Sequence, residues 1–269
     1  MRSGRPVIHA DNRGFRYGEG VFETIRIKEG RIILAKYHFE RLFSGIELLQ
    51  FEQPPSFTED ILSRQVEELC KKNNHQLSAR VRLMVFRSDG SLRGAQHNYP
   101  NYIVQSRPLL PGNPEMNENG LLIDVYPDGR KAMDTFSNLK SNNYLLYIMA
   151  AKYAKNHLCD DCLVLNSSER ICEGTVANIF CVKNERIYTP PLSEGCVAGV
   201  TRRFLLEKMK DGRYPIDERK MDIEFVKNSD EIFLTNAIYG FRWVGRLGDR
   251  QFGNTATRHL YQSFMSNIF

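Results

Sequence analysis

"DCLVLNSSERICEGTVANIFCVKNERIYTPP", residues 161–191, is the stretch whose reading decides the fold. The apolar runs "DCLVLNS", "RICEG", "ANIFCVKN" and "RIYTPP" follow one another, each closed by polar, Gly or Pro residues, so each reads as a short strand. No helical stretch separates them. A doubly wound sheet alternates strands with helices, and this succession does not, so it predicts the α+β class.

Working outward, the pattern predicts a helix from about Val200 to Met209, a strand in "DEIFLTNA" and a closing helix within "NTATRHLYQSFMSNI". Upstream, "LLIDVYP" reads as a strand and residues 137–157 as a helix. "PLLPGNPEMNENG", rich in Pro and Gly, reads as a linker at 109–120. The division is then a smaller α+β domain over 1–108 and a larger one over 121–269. In the smaller one, "GVFETIRIKEGRIILAKYHFERLFSGIELL" predicts two strands about Lys28-Glu29-Gly30. A helix follows with Phe39, Leu42, Phe43, Ile46 and Leu49 at helical spacing, then a second from Ser56 to Asn73. "ARVRLMVFR" and "NYIVQSRPLL" read as strands around a hairpin at Ser88-Asp89-Gly90.

At 269 residues the chain can bury a sizeable core. Its net charge of +5, with pI ≈ 8.8, comes from scattered arginines. A nucleic-acid-binding domain predicts a clustered basic and aromatic face, which is not found, and the charge suits acidic small molecules. No apolar run reaches the roughly eighteen residues of a membrane span, and the first residues hold no apolar signal core. Cys159-Asp160-Asp161-Cys162 has the spacing of half a zinc site or a redox pair, but no matching second pair accompanies it. Six cysteines therefore read as reduced thiols in a cytoplasmic protein, with no metal site.

Lys140, in "NLKSNNYL", lies among Phe136, Leu139, Tyr144, Leu145 and Ile148, residues expected inside. Taken alone it reads as a surface lysine, and Arg41 in "YHFERL" as a solvated helix charge. Glu173, beside Gly174 between apolar strands, is a turn residue or an anion held for a cation. Gly199, Val200 and Thr201 open a helix, where backbone N–H groups can meet a phosphate. Together they ask for one ligand. An amine for an aldehyde, an arginine and helix N-terminus for a phosphate, and a carboxylate for a protonated ring nitrogen suit pyridoxal 5′-phosphate.

The motifs "DNRGFRYGEGVFETIR", "YHFERL", "NLKSNNYL", "ICEGTVANIF", "TPPLSEGCVAGVTRR" and "IFLTNA" occur in the order of the class IV aminotransferase family, and the chain resembles that family nearly end to end. The resemblance implies a two-domain fold type IV enzyme and a homodimer acting on a small-molecule amino substrate. It makes Lys140 the Schiff-base lysine and acid/base, Glu173 the partner of the pyridine nitrogen and Arg41 that of the phosphate. Val200, Thr201, Asn236 and Ala237 complete the phosphate cup, with Tyr144 beside the cofactor. Thr24, where branched-chain aminotransferases typically carry glycine, resembles the lyase that makes 4-aminobenzoate and pyruvate, and a hydroxyl there suits proton delivery to a leaving group. The spacing of Asn143 resembles the lyases and the D-amino-acid enzymes, and the "TNA" of the last strand resembles that lyase. The alternative is a branched-chain or D-amino-acid aminotransferase. Tyr17, Arg87, Arg93 and His97 are the candidates for substrate contact. "TNAIYGFRWV" departs from the family through Phe241-Arg242-Trp243, where a proline-containing stretch is usual.

Overall fold

The computed structural model describes residues 7–109, 116–209, 214–266 and 268–269, so part of the expected linker lies outside the described residues. Contacts divide the chain into two compact units, Met1–Leu109 with Lys140–Asn143, and Leu110–Leu139 with Tyr144–Phe269.

In the first unit, α1 (Arg13–Tyr17), β1 (Gly20–Lys28), β2 (Arg31–Ile32), α2 (Ala35–Leu48) and α3 (Glu59–Lys72) precede β3 (Ser78–Phe86). A small hairpin of β4 (Gly90–Ser91) and β5 (Gly94–Ala95) follows, then β6 (Asn101–Pro108). The sheet runs β2-β1-β3-β6, antiparallel throughout. Alternation gives β1 two distinct faces. Ile25 and Ile27 go into a core with Val66, Cys70, Ala79 and Val81, while Phe22, Thr24 and Arg26 occupy the other face. Helix α3 begins later than the expected Ser56 because Thr58 caps it, its hydroxyl accepting from Ile61 N at 3.3 Å.

The second unit holds β7 (Leu121–Lys131), α4 (Leu145–Asn156), β8 (Asp161–Asn166), β9 (Ile171–Gly174), β10 (Asn178–Lys183) and β11 (Arg186–Thr189). Then come α5 (Val200–Lys208), β12 (Ile216–Glu218), α6 (Ile223–Lys227), β13 (Glu231–Asn236), β14 (Gly240–Leu247), β15 (Arg250–Gln251) and α7 (Thr255–Phe264). Its sheet runs β12-β11-β10-β13-β14-β7-β8-β9, with β15 against β14. Strands β7 and β8 pair in parallel because α4 carries the chain back between them; β8 and β9 pair antiparallel, setting Glu173 opposite Val164. Leu163, Ile171, Ile179, Cys181, Leu234 and Val244 form the heart of the core.

Three expectations need correction. The helix expected over 137–157 starts only at Leu145, because the backbone ahead of it is engaged elsewhere: Lys140 O accepts from Phe22 N at 2.8 Å and Asn142 N donates to Gly20 O at 3.0 Å. Those bonds also group Lys140–Asn143 with the first unit rather than with residues 121–269. Phe136, Leu145 and Ile148, expected inside, are 56%, 72% and 57% exposed: Phe136 lies in a turn ahead of α4, and α4 buries only the stripe of Tyr147, Ala150 and Ala154 against Cys162 and Val164. Phe241-Arg242-Trp243 lies within β14, where Phe241 is fully buried and stacks on Phe233 at 4.7 Å.

Candidate active site

In the first unit the short segment holding Lys140 lies along β1, with a bridge between Val21 and Ser141. Lys140 Nζ sits over the Phe22 ring, 4.6 Å from its centroid, and the Arg82 guanidinium lies 3.9 Å from the same centroid. Thr24 is two residues from Phe22 on the same strand face, opposite Arg82 in register. Lys140 and Thr24 are thus brought onto one face of β1.

The opposite face of β1 carries Glu23, buried against α2. Its Oε1 accepts from Arg41 Nε at 2.7 Å, and its Oε2 is bonded by Arg41 Nη2 and lies 2.6 Å from His38 Nδ1. Burial pushes the Glu23 carboxyl up, but Arg41 and His38 outweigh it and hold it at about 2. Burial, opposed by Glu23 and aided by the charges of Arg41 and Lys140, lowers the pKa of His38, so the ring is neutral and donates from Nδ1. The motif "YHFERL" therefore places Arg41 in a clamp whose members Glu23 and His38 sequence reasoning left out. The spacing of His38 and Arg41, on one side of α2, was the available signal.

In the second unit Glu173 is buried and held from several sides. Tyr147 OH donates to Oε1 at 2.6 Å and Lys131 Nζ lies 3.3 Å from it. Val197 N donates to Oε2 at 3.0 Å and Asn178 Nδ2 at 3.4 Å. Asn178 Nδ2 also donates to Val197 O at 2.9 Å, and Asn138 Nδ2 to Cys196 O at 2.7 Å, which fixes the loop leading into α5. Tyr144 OH donates to Thr175 O at 3.1 Å, and its ring lies 4.6 Å from that of Tyr147.

Helix α5 has Gly199 as its N-cap and no side-chain cap, so the N–H groups of its first turn, Val200 and Thr201 included, are available. A Cβ at Gly199 would meet Asn178 Oδ1 at 1.8 Å, so only glycine admits this approach. The Thr201 hydroxyl is buried without a hydrogen-bond partner, and so is that of Thr235 on the adjacent β13. Asn236 turns its side chain inward to its own turn, Oδ1 accepting from Ile238 N and Tyr239 N, each at 2.9 Å; Ala237 lies in that turn.

The candidates for substrate contact do not converge. Arg87 is buried and spent on the protein, with Nε donating to Glu19 at 2.9 Å, Nη1 to the carbonyls of Gln50 and Asn98, and Nη2 to that of Leu49. Arg93 is exposed in the turn between β4 and β5, and His97 is exposed beside Tyr99. The Tyr17 ring packs against Arg13 and Arg16.

The profile of the family described as "Amino-transferase class IV" matches residues 20–247. The chain belongs to the class IV aminotransferases. It is 30% identical to the aminodeoxychorismate lyase of Bacillus subtilis, over 97% of this chain and 91% of that one. It is 25% identical to the D-alanine aminotransferase of Staphylococcus haemolyticus, over 97% and 92%. The fold matches that of the 4-amino-4-deoxychorismate lyase from Pseudomonas aeruginosa with a TM-score of 0.82, at 24% identity, covering 97% of this chain and 96% of that one. As a class IV aminotransferase the protein is an enzyme whose cofactor is pyridoxal 5′-phosphate. The donor set fits that group: an uncapped helix end with an orphaned hydroxyl suits a phosphate, and a buried, ion-paired carboxylate suits a protonated ring nitrogen.

Proposed function

We propose that this class IV enzyme is a lyase of the aminodeoxychorismate lyase kind, releasing 4-aminobenzoate and pyruvate from 4-amino-4-deoxychorismate. The observation that carries the reading is Thr24, a hydroxyl on the face of β1 where Lys140 lies over Phe22. A lyase must protonate a leaving group as well as remove a proton, and a hydroxyl on the same strand face as the amine supplies the second donor. The 30% identity to the lyase of Bacillus subtilis supports the same choice.

Pyridoxal 5′-phosphate supplies an aldehyde for the substrate amine and a ring that takes up the electron pair when a bond at the neighbouring carbon breaks. Lys140 would hold the cofactor through its amine and would serve as the base for the substrate's proton. Glu173 would pair with the ring nitrogen. By the family resemblance Arg41, the N–H groups of Val200 and Thr201, and the turn of Asn236 and Ala237 would bind the phosphate, and Tyr144 would orient the ring. Arg41 would reach this role pre-aligned by Glu23, whose carboxylate holds one edge of its guanidinium through Nε and Nη2.

Leu145, Ile148 and Met149, exposed at i, i+3 and i+4 on one side of α4, support a homodimer through that surface. Six free cysteines, five of them buried, support residence in the reducing cytoplasm. The decisive assay measures pyruvate release from 4-amino-4-deoxychorismate beside amino transfer to 2-oxoglutarate. Release is expected; transfer without release makes the enzyme an aminotransferase. Borohydride should fix the cofactor to Lys140, and Lys140→Ala should give no adduct.

A further inference from the structure

Two residues that no motif singles out close on Glu173. Lys131 ends β7, just past a bulge between Val125 and Arg130 in its pairing with β8. Its Nζ lies 3.3 Å from Glu173 Oε1, donates to the Tyr147 hydroxyl, and sits 4.9 Å from the centroid of the Tyr147 ring. Tyr147 OH in turn donates a hydrogen bond to Glu173 Oε1 at 2.6 Å, and Val197 N also reaches that oxygen, at 3.1 Å. Oε2 is bonded by Val197 N at 3.0 Å and by Asn178 at 3.4 Å. Oε1 is therefore crowded with donors, and Oε2 is the more lightly held oxygen.

The other titratable groups facing Glu173 are neutral. Burial, then the charge of Glu173 itself, pushes Tyr147 well up. Burial pushes the Cys172 thiol up and that of Cys196 to about 12. Lys131 brings the compensating charge: its side chain is 13% exposed beside a carboxylate that is 4% exposed. A buried carboxylate with no cation beside it takes up a proton and loses its value to a protonated ring nitrogen.

We propose that Lys131 and Tyr147 are positioning residues for the cofactor's ring end: Lys131 supplies the positive charge that balances the Glu173 carboxylate, and together they occupy Oε1 so that Oε2 is presented to the ring nitrogen. The inference rests on the assignment of Glu173 given above. It is tested on the apo-enzyme by measuring the affinity for pyridoxal 5′-phosphate against pH, alongside the visible absorbance of the bound cofactor. In Lys131→Met the acid limb of affinity moves up by about one pH unit, which is about a tenfold loss of affinity below the limb. Lys131→Arg restores the limb, and Tyr147→Phe, which keeps the ring, moves it less in the same direction. An unchanged curve in Lys131→Met, or a drop equal at every pH, overturns the proposal. Should Lys131→Met fail to fold, an unshifted limb in Tyr147→Phe overturns it. Glu173→Gln separates the two ideas: it abolishes the limb if Glu173 meets the ring nitrogen, whatever Lys131 does, and leaves the limb in place if the Glu173 assignment itself is wrong.

Discussion

Two glutamates, both buried in strands, are held in opposite ways. Glu23 is gripped by a guanidinium and an imidazole, and the charge of Arg41 overcomes its burial to hold the carboxyl at about 2. Glu173 is surrounded chiefly by neutral donors (a phenol, an amide and a backbone N–H), with one lysine at 3.3 Å. A bidentate arginine saturates a carboxylate and makes it a strut. Scattered single donors keep a carboxylate ionised while leaving lone-pair directions for another partner. The first arrangement serves the alignment of Arg41; the second suits a group that answers to a ligand.

Replacing each glutamate by glutamine tests that contrast. Glu173→Gln is expected to lower turnover by about 10³-fold, since it removes the charge that faces the cofactor ring, while leaving a folded protein by circular dichroism. A variant with near-normal turnover would make Glu173 a strut like Glu23. Glu23→Gln should show the reverse balance: a loss of about 3 kcal/mol in unfolding free energy, because Arg41 and His38 lose a buried anion. The sign with pH follows from its depressed pKa. The contribution of Glu23 is fully present above the unfolded value of 4.5 and is lost as pH falls through about 2, so wild type and variant converge across that window in thermal melts. Melts that stay separated at low pH would show that packing rather than charge sets the difference.

Thr24→Val, on the face of β1 away from Glu23, gives a smaller effect. It should cut pyruvate release by about a hundredfold with cofactor absorbance intact, the scale of losing one proton donor. Equal loss of cofactor would move Thr24 into the binding set and weaken the lyase reading.

Much of this was legible in the sequence because the informative residues sit in local motifs. The strand succession over 161–191 reads directly as α+β, and the motifs around Lys140, Glu173 and Val200 place the chain in its family before any coordinates. The clamp on Arg41 was partly legible, since His38 and Arg41 share a helix turn, but Glu23 joins them only because β1 packs on α2. Lys131 was not legible at all. It reaches Glu173 through the sheet order β7-β8-β9, a tertiary fact that no spacing in the chain encodes. Arg87 misled for the converse reason: its charge suggests a carboxylate partner from outside, yet the fold wraps it in Glu19 and three backbone carbonyls. The start of α4 was misplaced because apolar content was read as helix, whereas the residues around Lys140 lend their backbone to β1.

The smallest effect bears on the second unit alone. Thr201 Oγ1 is buried without a partner at the first turn of α5, a cost to the protein that a bound anion would relieve. Thr201→Val keeps the shape and removes the hydroxyl, so the apo-protein should melt no lower than wild type, and its affinity for pyridoxal 5′-phosphate should fall by about fivefold, near 1 kcal/mol for one hydrogen bond. Calorimetric titration of both apo-proteins, with inorganic phosphate as a second probe, reads this directly. If Thr201→Val lowers the melting temperature and leaves both affinities alone, the hydroxyl serves the fold, and the phosphate must be assigned to other groups. A fall in affinity without a fall in stability is the signature of a residue held ready for its ligand, the relation already argued for Glu173 and absent from Glu23.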